Sequence, residues 1–360
     1  MRVPLTNVTV PNLFPSKLIL KVIDRVISSG KYILGPELSL FESEFSSFIG
    51  TKYCLGVANG TEALTLAVKA LGLGSKDEVI ISTNSYPTFF GVANAGVRVR
   101  LYDIGLESIN RAISPHSKAV IVTHLYGQPE DLGEIIKICR KYKLYLIEDC
   151  AQAHGAKYKR KVVGSVGEIG CFSFYPTKNL GAIGDGGAIV TSNKSLALAV
   201  KALRMYGETS RYHSQYLGMN SRLDELQAAI LRVKLKNLPT ENAARQQAAQ
   251  YYLSRLKYIM QVNLPQILLH TTPVFHLFVI RARHRNHLQK YLFKNGIITG
   301  IHFPTPVHLQ KSAAFLGYKK GDFPESEKIS SEILSLPIFP SITKVQQDYV
   351  IEHITRFYHG

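Results

Sequence analysis

Short apolar runs alternate along this chain with segments whose apolar residues recur every three or four positions. The runs Glu78-Val79-Ile80-Ile81, Val97 to Tyr102, Ala119 to His124 and Leu144 to Glu148 read as strands, rich in β-branched residues. Between them, apolar positions 63, 64, 66, 67, 70 and 71 keep a helical spacing, and Leu132 to Tyr142 forms another helical segment. Such alternation predicts an α/β fold built on a mostly parallel sheet. From about residue 222 the signal becomes long and helical, with Leu223, Leu226, Ala229, Ile230 and Val233 on one face. A second region follows, with a strand at Val274 to Arg281, a helix at Arg285 to Lys294, a strand at Ile297 to Phe303 and a last helix at Lys344 to Tyr358. The boundary is expected near Leu238-Pro239-Thr240, giving a large α/β domain over 1–238 and a smaller C-terminal α/β domain over 239–360.

Three places in this frame carry chemistry. Lys178 stands between the aromatic run Phe172-Ser173-Phe174-Tyr175 and the glycines Gly181, Gly184, Gly186 and Gly187. It has no helical face and no carboxylate four residues away, and an amine that forms a Schiff base needs such a site. Alone, it also reads as a solvated lysine on a Gly-rich hairpin. The run Leu144 to Asp149 ends in two acids, where a parallel strand delivers polar groups to its carboxyl end. Asp149 there suits a carboxylate beside a pyridine nitrogen, although an acid at a strand end, taken alone, is more often a helix cap or a turn former. At Asn59-Gly60-Thr61 a strand passes into a helix, whose free N–H groups attract an anion such as phosphate. An N-cap by Asn59 or Thr61 explains the same triplet. Anchor, acid and lysine occurring together in that order favour the cofactor reading over the separate bland ones.

These segments resemble the DegT/DnrJ/EryC1/StrS sugar-aminotransferase family of fold type I. The likeness also takes in Tyr32-Ile33-Leu34-Gly35-Pro36-Glu37, Glu148-Asp149-Cys150-Ala151-Gln152-Ala153-His154-Gly155, Asn220-Ser221-Arg222-Leu223-Asp224-Glu225 and Ile301-His302-Phe303-Pro304. The resemblance implies pyridoxal 5'-phosphate as cofactor, Lys178 as its Schiff-base lysine, Asp149 on the ring nitrogen and Gln152 near the ring hydroxyl. It further implies Gly60, Thr61 and Ser173 on the phosphate and Tyr86 stacked on the ring, although the segment after Tyr86 is one residue shorter than the family's usual one. Asn220 would reach the phosphate of the neighbouring subunit in a homodimer with shared sites. His302 resembles the family's substrate-side loop; a structural histidine at a strand end is the other reading. The implied substrates are glutamate and a nucleotide-diphosphate keto sugar, in amino-sugar synthesis for a surface polysaccharide or a glycosylated metabolite. The stretch from Tyr212-His213 to Asp224 resembles enzymes aminating C3 of dTDP-3-keto-6-deoxyhexoses, with C4 amination of a UDP- or GDP-sugar as the alternative. A sugar 3-dehydratase on this scaffold carries histidine where this chain has Lys178. A regulator that keeps the cofactor pocket without turnover is a further alternative.

Composition narrows the rest. A chain of 360 residues, 46% of them hydrophobic, suffices for two packed domains. Cys54, Cys139, Cys150 and Cys171 show neither CxxC nor metal-ligand spacing, so they read as buried thiols of a reducing, cytoplasmic compartment, with no metal site. Pro4, Pro11 and Pro15 break the first twenty residues, which argues against a signal peptide, and no stretch reads as membrane-spanning. The formal charge of +17 admits a nucleic-acid binder, yet the basic residues are dispersed, with Lys157 to Lys161 the one dense cluster. Solubility, and steering of an anionic substrate, account for the charge better than a nucleic-acid or membrane partner.

Overall fold

The computed structural model describes residues 1–8 and 16–359; Pro11 and Pro15 lie outside them. Seven strands make the main sheet: β1 (Tyr53–Val57), β2 (Glu78–Ser82), β3 (Arg98–Tyr102), β4 (Ser117–Thr123), β5 (Tyr145–Asp149), β6 (Ile169–Ser173) and β7 (Gly187–Thr191). Their spatial order is β1-β7-β6-β5-β4-β2-β3. Pairings β2–β3, β2–β4, β4–β5 and β5–β6 are parallel, and β7 is antiparallel to both neighbours. The expected mostly parallel sheet is present.

Side chains of successive strand residues go to opposite faces, and each face buries its own core. Val120, Val122, Leu146 and Phe172 join Leu38, Phe41 and Phe45 of α2 (Pro36–Ile49), Leu132 and Ile135 of α6 (Leu132–Tyr142) and Leu231 of α8 (Glu225–Leu235). On the other face Ile81, Ile121, Ile147 and Cys171 meet Leu64, Leu66 and Val68 of α3 (Gly60–Ala70), Phe89 of α4 (Tyr86–Ala93) and Val200 of α7 (Lys194–Leu203). A helix over Leu106–Ala112 is α5, and α1 (Ser16–Ser29) lays Ile19, Val22 and Val26 on Ala229 and Ile230 of α8.

The packing of α2 rests on a buried acid. Glu225, 1% exposed, accepts from the N–H groups of Gly35 (2.9 Å), Glu37 (2.8 Å) and Leu38 (2.8 Å), which caps the α2 N-terminus from a segment 190 residues away.

A third core lies in the C-terminal part. Here α9 (Leu238–Leu256), α10 (Arg285–Lys294) and α12 (Lys344–His359) cover an antiparallel sheet of β8 (Val262–Asn263), β9 (Phe278–Ala282) and β10 (Ile333–Leu336), beside α11 (Pro324–Glu332). Val3 is fully buried in this core and forms a parallel bridge with Ile297. The strand expected over Ile297 to Phe303 is absent; only isolated bridges, Val3–Ile297 and Gly300–Ser335, remain. Phe303 takes φ 61° and Pro304 has no N–H to donate, so the backbone there cannot continue a ladder.

Candidate active site

The carboxyl end of β5 separates the two acids that the sequence placed side by side. Glu148 points to the α2 face and is wholly buried. Its Oε2 accepts from His124 Nε2 (3.0 Å) and the Gly164 N–H (2.8 Å), and its Oε1 from the N–H groups of Val166 (2.8 Å) and Gly167 (2.7 Å). His124 Nδ1 accepts from the Glu130 N–H at 3.1 Å, so its proton sits on Nε2 and is given to Glu148. These hydrogen bonds hold the Glu148 carboxyl below its usual range in spite of burial, which alone would raise it. Cys150 Sγ lies close enough to complete a metal-like trio with this pair. Both oxygens of Glu148 and both nitrogens of His124 are already engaged, so hydrogen bonding accounts for the cluster.

Asp149 points to the opposite face. It is 3% exposed; Thr88 Oγ1 donates to its Oδ2 at 2.6 Å and the Ala151 N–H to its Oδ1 at 3.1 Å. Gln152 is buried nearby in sequence, with Oε1 accepting from the Tyr126 N–H at 2.6 Å. That bond fixes the amide orientation and leaves its NH2 group to donate elsewhere.

Lys178 sits in the turn after β6. Its N–H donates to the Tyr175 carbonyl at 2.8 Å, and a side chain on Gly181 would press within 2.4 Å of the Pro176 carbonyl, so the turn closes only with glycine there. Asn179 anchors the turn below, its Nδ2 donating to Asn242 Oδ1 (2.8 Å) and the Val274 carbonyl (3.0 Å). Lys178 is partly buried. Burial pulls its ammonium down to about 8, and the charge of Asp149 opposes that shift. Its own charge, after burial, helps keep His302, His276 and His154 neutral; His154 falls to about 3. His302 comes from the C-terminal part and is oriented by Ser335 Oγ, 2.8 Å from its Nδ1. Among the described residues, Nδ1 of the buried His276 has no hydrogen-bond partner.

Gly60 begins α3 and lies directly against Ser173: a Cβ there would stand 2.6 Å from Ser173 Cβ. Asn59 is the N-cap, its Oδ1 accepting from the Glu62 N–H at 2.8 Å and its carbonyl from Ala63 at 3.0 Å. The N–H groups of Gly60 and Thr61 therefore remain open at the helix start among the described residues, beside the Ser173 hydroxyl. The N-cap and anion readings of the triplet are compatible. Tyr86, 42% exposed, opens α4 and meets Phe303 edge-on, ring centroids 5.4 Å apart.

Asn220 stands apart from this group. It is exposed, pairs with Met205 in an antiparallel bridge and lines a surface groove with Ile33, Asp185 and Arg222. Sequence reasoning missed Ser85, Thr88, Tyr126 and His276. Ser85 and Thr88 lie in the segment that carries Tyr86, but no local pattern aims them at an acid 61 residues further on.

The model of the DegT/DnrJ/EryC1/StrS aminotransferase family matches residues 16–355. The chain is 43% identical over 363 residues to the dTDP-3-amino-3,6-dideoxy-alpha-D-galactopyranose transaminase of Aneurinibacillus thermoaerophilus, covering 99% of both. Among solved structures it is similar to S. venezuelae DesV in complex with a ketimine intermediate, with a TM-score of 0.97, 37% identity and coverage of 100% of this chain and 99% of that one. It is also similar to NtdA from Bacillus subtilis with bound cofactor PMP, with a TM-score of 0.92, 31% identity and coverage of 100% and 86%.

Proposed function

Because this chain belongs to the DegT/DnrJ/EryC1/StrS aminotransferase family, we propose that it transfers an amino group from glutamate to C3 of a dTDP-3-keto-6-deoxyhexose. It is a pyridoxal-phosphate-dependent aminotransferase of fold type I, acting on nucleotide-linked keto-deoxysugars. The nucleotide, the carbon and the donor are the finer reading, supported by the likeness to a dTDP-3-amino-sugar transaminase along 99% of the chain. The observation that carries the site assignment is the pairing of a partly buried Lys178, its ammonium brought down to about 8, with the buried carboxylate of Asp149.

The residues fit the cofactor. Open N–H groups at the α3 start and the Ser173 hydroxyl suit a phosphate, and the NH2 of Gln152, unengaged among the described residues, suits a ring hydroxyl. When bound, pyridoxal phosphate supplies an aldehyde that carries the amino group and a pyridine ring that accepts electrons. Lys178 Nζ would hold the aldehyde in the resting enzyme, give way to an incoming amine, and then take up and return a proton as general base and acid. Asp149 would keep the ring nitrogen positively charged. Tyr86 would cover one face of the ring and exclude water, with Phe303 holding it edge-on. His302 would face the sugar. Asn220 of the partner subunit would complete the phosphate site, which makes the working unit a homodimer.

Incubation with pyridoxal phosphate, glutamate and a panel of nucleotide keto sugars, read by product mass, tests this reading. Amination of a dTDP-3-keto-6-deoxyhexose is expected. Turnover confined to a UDP- or GDP-4-keto sugar would overturn the C3 and dTDP assignments, and no turnover with any sugar would point to a regulator.

A further inference from the structure

Ser85 occupies the N-cap position of α4, where a serine ordinarily accepts from the N–H three residues on, yet its side chain makes no such cap. Its hydroxyl lies instead 2.6 Å from Thr88 Oγ1, and both residues are buried, at 4% and 0% exposure. Thr88 Oγ1 in turn donates to Asp149 Oδ2 at 2.6 Å. A hydroxyl carries one proton, so the proton that Thr88 gives to Asp149 leaves its oxygen to accept from Ser85. The direction of the chain is thus set: Ser85 to Thr88 to Asp149. A local cap is forgone for it.

We infer that Ser85 and Thr88 are positioning residues for the reaction: a two-hydroxyl relay that holds the Asp149 carboxylate in the orientation from which it would stabilise a proton, and so the positive charge, on the cofactor's ring nitrogen. With Oδ2 tied to Thr88 and Oδ1 to the Ala151 N–H, rotation of the carboxyl about its last bond would break both contacts. The relay also spans the turn that begins with Tyr86, between Ser85 and Thr88. One turn of helix thereby sets both the ring-covering aromatic and the acid. The inference rests on the cofactor reading above.

The test uses enzyme reconstituted with pyridoxal phosphate labelled with 15N in the ring, whose nitrogen resonance reports protonation directly. Thr88→Val, which keeps the shape without the hydroxyl, is expected to move the resonance toward neutral pyridine. It should lower kcat roughly 10- to 100-fold, the loss of one hydrogen bond to a charged group, with KM for glutamate little changed. Thr88→Ser should restore both, and Ser85→Ala should shift both in the same direction by less. An unmoved resonance with unchanged kcat in folded, cofactor-bearing Thr88→Val overturns the inference. If that variant does not fold, an unmoved resonance in Ser85→Ala does so. Asp149→Asn separates the two levels: if it leaves the resonance unmoved, the assignment of Asp149 to the ring nitrogen is wrong, whereas a shift there but none in Thr88→Val removes the relay alone.

Discussion

The amine of Lys178 should capture an aldehyde fastest in a pH range where ordinary lysines are still inert. Burial brings its ammonium to about 8, and only the neutral amine attacks a carbonyl. At pH 7 an amine of pKa about 8 is roughly 9% neutral, against about 0.04% for one at the usual 10.4, a gain of roughly 230-fold in reactive form. The assay is stopped-flow mixing of cofactor-free protein with pyridoxal phosphate between pH 6 and 10, following the imine absorbance. Below pH 8 the rate should rise about tenfold per pH unit and then level off. In Asp149→Asn the carboxylate that favours the ammonium is gone, so the midpoint should fall further. A rate that keeps climbing tenfold per unit from pH 8 to 10 would refute the argument, because the lysine would then be solvated in the ordinary way. So would a midpoint that rises in Asp149→Asn.

Three other outcomes are expected. Glu148→Gln should cost roughly 3 kcal/mol, since an amide presents a donor to N–H groups that now meet an acceptor, and the melting temperature should drop by several degrees. The Glu148 carboxyl is held below its unfolded range, so its stabilisation is complete above pH of about 4.3 and disappears as pH falls through the folded value; acid unfolding should be less steep in the variant. Glu225→Ala should cost about 2–4 kcal/mol in urea unfolding by stranding three N–H groups at the α2 start, and an unchanged midpoint would remove Glu225 as the cap. Mixing Lys178→Ala with Asn220→Ala protein should regain activity toward one intact site per heterodimer, and heterodimers without any recovery would mean that the site is built within one chain.

Strand and helix periodicity made the large sheet legible, because each inner strand is short and apolar and each helix shows one apolar face. The helix at Leu132–Tyr142 falls where its spacing places it. The loop from Ile297 to Phe303 was not legible: β-branched residues suggested a strand, while backbone geometry at Phe303 and tertiary bonds from Val3 and Ser335 decided otherwise. In the site, Lys178, Asp149, Gly60 and Ser173 stood out because each sits at a strand end or turn whose local composition is unusual. Thr88 and Glu225 did not. Their roles depend on partners 61 to 190 residues distant, and nothing in their neighbours encodes that distance.

The opposed directions of Glu148 and Asp149 make the site sensitive to parity. Side chains alternate along β5, so a shift of that strand by one residue would offer Glu148 to the pocket and turn Asp149 toward the 164–167 loop. Both are acids, so neither charge nor hydropathy would oppose the exchange. What opposes it is length and fit: the longer Glu148 side chain reaches three loop amides and a histidine that a shorter Asp149 would miss. The structural acid therefore serves as a reading frame for the one proposed to face the ring nitrogen. An engineered insertion before Tyr145 should be survivable in even steps or wherever the grip of the loop on Glu148 outlasts it. Transposing the two acids, a change that leaves composition untouched, should disable fold and chemistry together.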